Sequence, residues 1–208
     1  MPASPDLLAA LGGPVHLVAP RLLGAALSCG GVTLILTEVE AYGGSDDPGS
    51  HAFRGPTPRT TAMFGPAGRL YCYLSYGMHT CANVVTGPDG EPSAVLLRAG
   101  RVVSGLDLAR GRRPGSTDRD LARGPARLAR ALGIGLTDDG LPLNGARVGL
   151  RLAPDPVSPV SSGPRVGLRA AAETPWRFWI TGDPTVSAYR PAAPSRRARV
   201  ARSDPQGL

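Results

Sequence analysis

The sequence predicts an α+β domain over residues 1–190, a curved, mainly antiparallel sheet with helices packed around it, followed by a basic tail at 191–208. Three observations predict it. The 208 residues suit one domain, and 42% hydrophobic residues suffice for a core. Several short runs carry apolar patterns of strand type, while helical periodicity is confined to brief stretches. The 28 glycines and 22 prolines break the chain into short elements, so long helices should be few.

Taken in order, residues 1–12 read as a short capping segment. His16 to Leu27 has helix-like apolar spacing, with Pro20 opening the helical part rather than breaking it, and His16, among apolar residues, is expected in the core. Val32 to Tyr42 is the first strong strand. Residues 43–69 form a Gly-, Pro- and Ser-rich loop of a length that usually serves function in a compact domain. Its Arg54, Arg59 and Arg69, with Thr57, Thr60 and Thr61, suit phosphate contact. Leu70 to Ser75 and Cys81 to Thr86 read as strands. Ala94 to Leu97 reads as a short buried strand, and Arg98 directly after it needs a partner for its head group. Residues 101–113 look helical. Gly124-Pro125 opens a clear helix that ends near Gly133, with Arg127 and Arg130 on a solvated face. Arg147 to Leu152, Arg165 to Leu168 and Arg177 to Thr181 read as further strands, with 153–163 as a Pro/Ser connector. The tail from Pro191 holds Arg196, Arg197, Arg199 and Arg202; it is expected to be disordered and suits non-specific phosphate contact.

Two stretches carry the chemistry. In Leu34 to His51 a period of two puts Glu38, Glu40 and Tyr42 on one strand face, and the loop beyond delivers His51. Carboxylates that follow an apolar strand must be solvated or held by partners, so one of them is a candidate general base and a wet edge strand is the alternative. In Leu70 to Asn83, Tyr71, Tyr73 and Ser75 share a face, and Tyr76-Gly77-Met78 suggests a bend that pushes a large side chain outward. Four of the five tyrosines are Tyr42, Tyr71, Tyr73 and Tyr76; flat rings at a basic surface are what base stacking requires, and a tyrosine-rich core strand is the alternative.

These stretches resemble the alkyladenine (3-methyladenine) DNA glycosylase family. The matching text includes Thr37 to Tyr42, Asp46-Asp47, Ser50-His51, Thr57-Pro58-Arg59, Gly68 to Tyr73, Tyr76-Gly77-Met78, Asn83, Val95 to Ala99, Gly124 to Leu128, Pro164 to Gly167 and Arg177-Phe178 before Gly182-Asp183-Pro184. The resemblance implies a sheet curled like an open barrel and excision of damaged, alkylated purines from double-stranded DNA, with deaminated purines a separate question. It implies Glu40 as general base and Arg98 as a second catalytic residue, near the target phosphate and the attacking water. Tyr42, His51 and Tyr73 would enclose the extruded base, Asn83 would reject normal guanine, and Tyr76 would fill the gap left in the helix. Arg59 and Arg69 are candidate DNA contacts. Glu38 reads as structural, paired with an arginine. A non-catalytic binder of damaged or structured nucleic acid is the second reading, and a hydrolase of free nucleosides a third.

Composition agrees with a polyanionic partner: the net charge is +7 and the pI about 10.1. All 23 basic residues are arginine, the mark of GC-rich coding. No apolar run is long enough to span a membrane, no secretory signal is expected, and three widely spaced cysteines suit a reducing compartment. The expectation is a cytoplasmic monomer. No cofactor is expected, and no metal site, because His51, His79, Cys72 and Cys81 lack paired-ligand spacing.

Overall fold

The computed structural model describes residues 5–193. From residue 194 onward the expected basic tail lies outside the described residues. Two short helices, α1 (Pro5–Leu11) and α2 (Val15–Val18), lead into a 3-10 turn at Ala19–Leu22 and then into strands β1 (Ala26–Cys29) and β2 (Val32–Tyr42). The hairpin β3 (Leu70–Ser75) and β4 (His79–Val85) follows, then β5 (Ala94–Ser104), α3 (Leu106–Arg112) and α4 (Pro125–Leu132). Strands β6 (Val148–Arg151), β7 (Val160–Gly163) and β8 (Arg177–Ile180) close the chain.

All pairings among these strands are antiparallel, in the order β3-β4-β5-β2-β1-β6, with β8 joining β2 to β7. Strand β2 organises the sheet. One edge of it runs along β5; the other pairs first with β1 and then, from Glu38 to Glu40, with β8. This change of partner curls the sheet into a half-barrel.

A strict period of two would put Leu34 and Leu36 on the same face as Glu38 and Glu40. Register shifts on either side of Glu38 prevent this, because the extra residue of a bulge exchanges the faces. Leu34 and Leu36 before the bulge, and Val39 and Ala41 after it, all enter one core together with Leu128, Ala129 and Leu132 of α4. Full burial of each leucine contributes about 1.5–3 kcal/mol. The even-numbered residues beyond the bulge are thereby free to build a polar face.

Several expectations are corrected. The helix expected at His16 to Leu27 stops at Leu22, since Gly24 turns at φ 80° and Ala26–Cys29 pairs between β2 and β6. His16 is exposed rather than packed in the core, its ring stacked on Trp176 at 5.6 Å. The short strand ending at Arg98 runs on to Ser104, and α3 begins only after Gly105, at φ 73°, which turns the chain against Gly31 and Val32. Residues 165–168 are not a strand. Arg165 is buried by side-chain contacts and Gly167 has φ 74°, while β7 forms from the end of the presumed connector by pairing with β8.

Candidate active site

The concave face of the sheet carries one cross-strand row in direct register. Tyr71 on β3 pairs with Asn83 on β4, Asn83 with Leu96 on β5, and Leu96 with Glu40 on β2. Neighbouring strands lie about 4.8 Å apart, so this row spans roughly 15 Å. One step to either side stand the pair Tyr73–Cys81, Arg98 beside Leu96, and the pair Tyr42–Ala94. All of these side chains except Glu40 floor a cleft of about 290 Å³, at the low end of small-ligand sites, roughly 300–1,000 Å³. Its walls are Gly49 and His51 from the loop after β2, Val166 to Leu168 from the loop before β8, Pro125 at the start of α4, and Tyr76 at the hairpin tip.

Glu38 and Glu40 are both fully buried, yet their surroundings differ. Glu38 accepts from Arg98 Nε (2.8 Å), Arg177 Nε (2.7 Å), and both the N–H and hydroxyl of Ser187 (2.6 and 2.9 Å). These are four bonds, as many as a carboxylate usually accepts, three of them on Oε1 and one on Oε2. Burial would raise its pKa; the charges of Arg98 and Arg177 and the Ser187 N–H outweigh this and hold it low. Glu40 accepts three bonds: Tyr42 OH (2.9 Å) and Arg98 Nη1 (3.2 Å) on Oε2, and Val166 N–H (2.7 Å) on Oε1. One acceptor position on Oε1 remains. All three partners line the cleft, and Glu40 itself lies one hydrogen bond behind the wall. Tyr42 reaches past it, and its hydroxyl folds back onto the carboxylate.

Burial alone would lower the Arg98 pKa, but Glu40 and Glu38 raise it, so the guanidinium stays charged. The Tyr42 phenol is pushed up by burial and then by the Glu40 charge, and remains a donor. At the mouth, His51 lies edge-on to Tyr73 with ring centroids 4.6 Å apart, and Arg59 covers both. Its Nη2 is 3.1 Å from His51 Nε2 and its head lies 5.1 Å over the Tyr73 ring.

A second cleft, about 340 Å³, shares Ser75, Tyr76, Cys81, Arg98, Pro125 and Val166 with the first. It adds Arg123, Arg127 and Arg190 and no carboxylate. Aromatic rings over one cleft and arginines along its neighbour suit a base and a phosphate respectively. Comparison with known proteins decides the class. A family profile described as methylpurine-DNA glycosylase matches residues 9–184. The chain belongs to that family. A protein of Nocardia farcinica is 58% identical over 187 residues, covering 85% of this chain and 88% of its own. One of Frankia casuarinae is 54% identical over 202 residues, covering 91% and 95%, and one of Cutibacterium acnes 53% over 187 residues, covering 86% and 98%. All three are provisionally named 3-methyladenine DNA glycosylase. The protein is thus a hydrolase of N-glycosyl bonds in DNA that acts in the repair of alkylation damage.

In this glycosylase the fold brings together Tyr42, His51, Tyr73, Tyr76, Asn83 and Arg98 as cleft lining, with Glu40 behind them and Arg59 over the mouth. Asn83 Nδ2 donates to Tyr71 O at 2.9 Å, which fixes the orientation of its amide. Arg69 does not join them. It lies at the far end of β3 from Tyr76 and donates to Gly140 O at 2.8 Å. Sequence reasoning missed Tyr71 as a holder of His51 (Nδ1 to OH, 3.1 Å), although its shared face with Tyr73 was the available signal. It also missed Arg165 and Asp47, where no pattern marks the pairing of residues so far apart in the chain. Among the described residues no group of three His, Cys, Asp or Glu side chains could hold a metal, and no helix is long and apolar enough to cross a membrane.

Proposed function

We propose that the enzyme rotates a damaged purine nucleotide out of duplex DNA, seats the base in the aromatic cleft, and hydrolyses its glycosidic bond with Glu40 as general base. Rotation costs a few kcal/mol, less for a damaged base. Tyr76, 89% exposed at the hairpin tip, fills the space left in the stack. Tyr42 and Tyr73 enclose the base with His51. The phosphate runs along the neighbouring cleft past Arg98, Arg123, Arg127 and Arg190, so the sugar comes to lie at the boundary the two clefts share, over Arg98 and Val166.

There the chemistry needs a base and a negative charge. Departure of the purine leaves an oxocarbenium-like sugar; a water attacks its C1′ while its proton passes to the open acceptor position of Glu40. The bond to the base breaks with its electron pair leaving on the purine. The reading is carried by one contrast: of two buried carboxylates, Glu38 is held by four donors, two of them guanidinium groups, whereas Glu40 is held by three, all of them from residues that line the aromatic cleft. Arg98 Nη1 donates to Glu40 Oε2 and helps to aim the carboxylate.

The lining also bears on the lesion class. A neutral deaminated purine must be protonated to leave. Burial pushes the Tyr71 phenol up to about 12 and the Tyr73 phenol higher still, and His51 is held neutral, so none of them is a ready acid near neutral pH. Purines already cationic through alkylation need no such proton. The expected order is therefore 3-methyladenine and 7-methylguanine ahead of hypoxanthine and ethenoadenine, read by base release from the four duplexes.

Glu40→Gln keeps the shape and removes the base. Single-turnover release should fall by about 10²–10⁴-fold with duplex affinity retained. Release within threefold of the native rate would rule Glu40 out as the base.

A further inference from the structure

We infer that Arg165 is a positioning residue for base excision, a buried rivet that sets three parts of the cleft at once. Its side chain is fully buried. Nη1 and Nη2 form a bidentate pair with Asp47 at 2.6 and 2.7 Å, and Nη1 also donates to Ala41 O at 3.0 Å. Its Cζ lies over the Tyr42 ring, 4.7 Å from the centroid, and over the Trp176 ring, 5.4 Å from the centroid, and Trp176 stacks in turn on His16. These contacts link Tyr42, which lines the cleft, through Arg165 and Trp176 to the exposed His16.

Each contact reaches a different cleft wall. Behind Tyr42, the guanidinium fixes the depth of the ring against which a base would stack. Asp47 accepts from Gly43 and Gly49 N–H groups and so shapes the turn that leads to His51. Gly49 approaches so closely that an added Cβ would stand 2.8 Å from Arg165 Nη2. The next residue in the chain, Val166, gives its N–H to Glu40 Oε1. Neither loop has regular backbone bonding at these points, so side-chain contacts must hold their spacing. Arg165 Nε is buried without a partner. That unfavourable atom sits in a residue whose Nη1 and Nη2 bind the Asp47 carboxylate and the Ala41 carbonyl of β2. Lysine could keep the charge but neither the fork nor the plane.

The inference rests on the reading of the cleft as the excision site. The test is Arg165→Lys beside the native enzyme, measured by thermal unfolding, by affinity for undamaged duplex, and by single-turnover release of 3-methyladenine. The expected result is a folded protein with native duplex affinity and release slowed about 10- to 100-fold, since small displacements of reacting groups cost that much. A purely structural role predicts instead that each folded molecule works at the native rate. Should the lysine variant fail to fold, the double variant Asp47→Asn/Arg165→Gln removes both charges together and leaves none unpaired. Folded variants that release base within twofold of the native rate would overturn the inference. If the native enzyme itself released no base, the excision reading would fail, a result distinct from that one.

Discussion

His51 shows how much a single residue's bonding decides. Arginine only donates, so His51 Nε2 must accept from Arg59; the neutral ring then carries its proton on Nδ1 and gives it to Tyr71 OH. A second proton would face the guanidinium directly. Burial of the ring, and then the Arg59 charge, push its pKa down to about 4 from 6.5. Between these values the unfolded chain binds a proton that the folded one refuses. Folding stability is therefore complete above pH 6.5 and declines as pH falls toward 4. Solvent at the cleft mouth screens part of this effect. His51→Gln should flatten the decline in melting temperature between pH 7 and pH 4.5, and an unchanged slope would contradict the assignment. The same scale explains what could be read from the text and what could not. That Glu38, Glu40 and Tyr42 share a face was legible from polarity. That Glu38 is held by four donors and Glu40 by three depends on Arg177, Ser187 and Val166, more than a hundred residues away.

At the level of elements, the β3–β4 hairpin joins strain to exposure. Met78 N–H closes the turn on Ser75 O, and both residues between them have positive φ, Tyr76 at 51° and Gly77 at 69°. Turns of this kind prefer Asn-Gly; a bulky aromatic there is strained by about 1–3 kcal/mol. A large ring held in a strained turn and left 89% exposed has no folding benefit to explain it. Tyr76→Gly should leave stability unchanged or raise it by up to about 1 kcal/mol. Excision from duplex should nevertheless fall by about tenfold or more, because each ~1.4 kcal/mol of lost support for the opened helix is a factor of ten. Equal excision by both forms would remove the ring from the mechanism. Local pattern located β2, β3 and α4 well, because alternation in the two strands and the Gly-Pro start and Gly133 stop of the helix are local signals. It failed for β1, β7 and the far half of β5. These are strands because of what lies beside them: Ala26–Cys29 and Val160–Gly163 are short and ambiguous until β2 and β8 supply their hydrogen bonds.

For the molecule as a whole, the arginines divide into two populations. Arg98, Arg165 and Arg177 are buried and answered by three buried carboxylates, Glu38, Glu40 and Asp47, so the interior around the cleft is close to neutral. The three pairs cancel, so the excess charge of +7 falls to the rest of the sequence, and a DNA backbone is a suitable partner for it. The composition has a chemical consequence as well. Glycosylases that also cut the strand form a Schiff base between an amine and the sugar aldehyde. Every one of the 23 basic side chains here is an arginine, whose guanidinium keeps its proton at any working pH and cannot serve as that amine. Hydrolysis by water should then be the sole outcome, leaving an abasic but continuous strand. Incubation with a 3-methyladenine duplex in the presence of borohydride should trap no protein–DNA adduct, and breakage should appear only after alkali. A trapped adduct would place the chemistry on the chain's α-amino group, the one amine the sequence leaves, and would replace the water mechanism built on Glu40 with a covalent one.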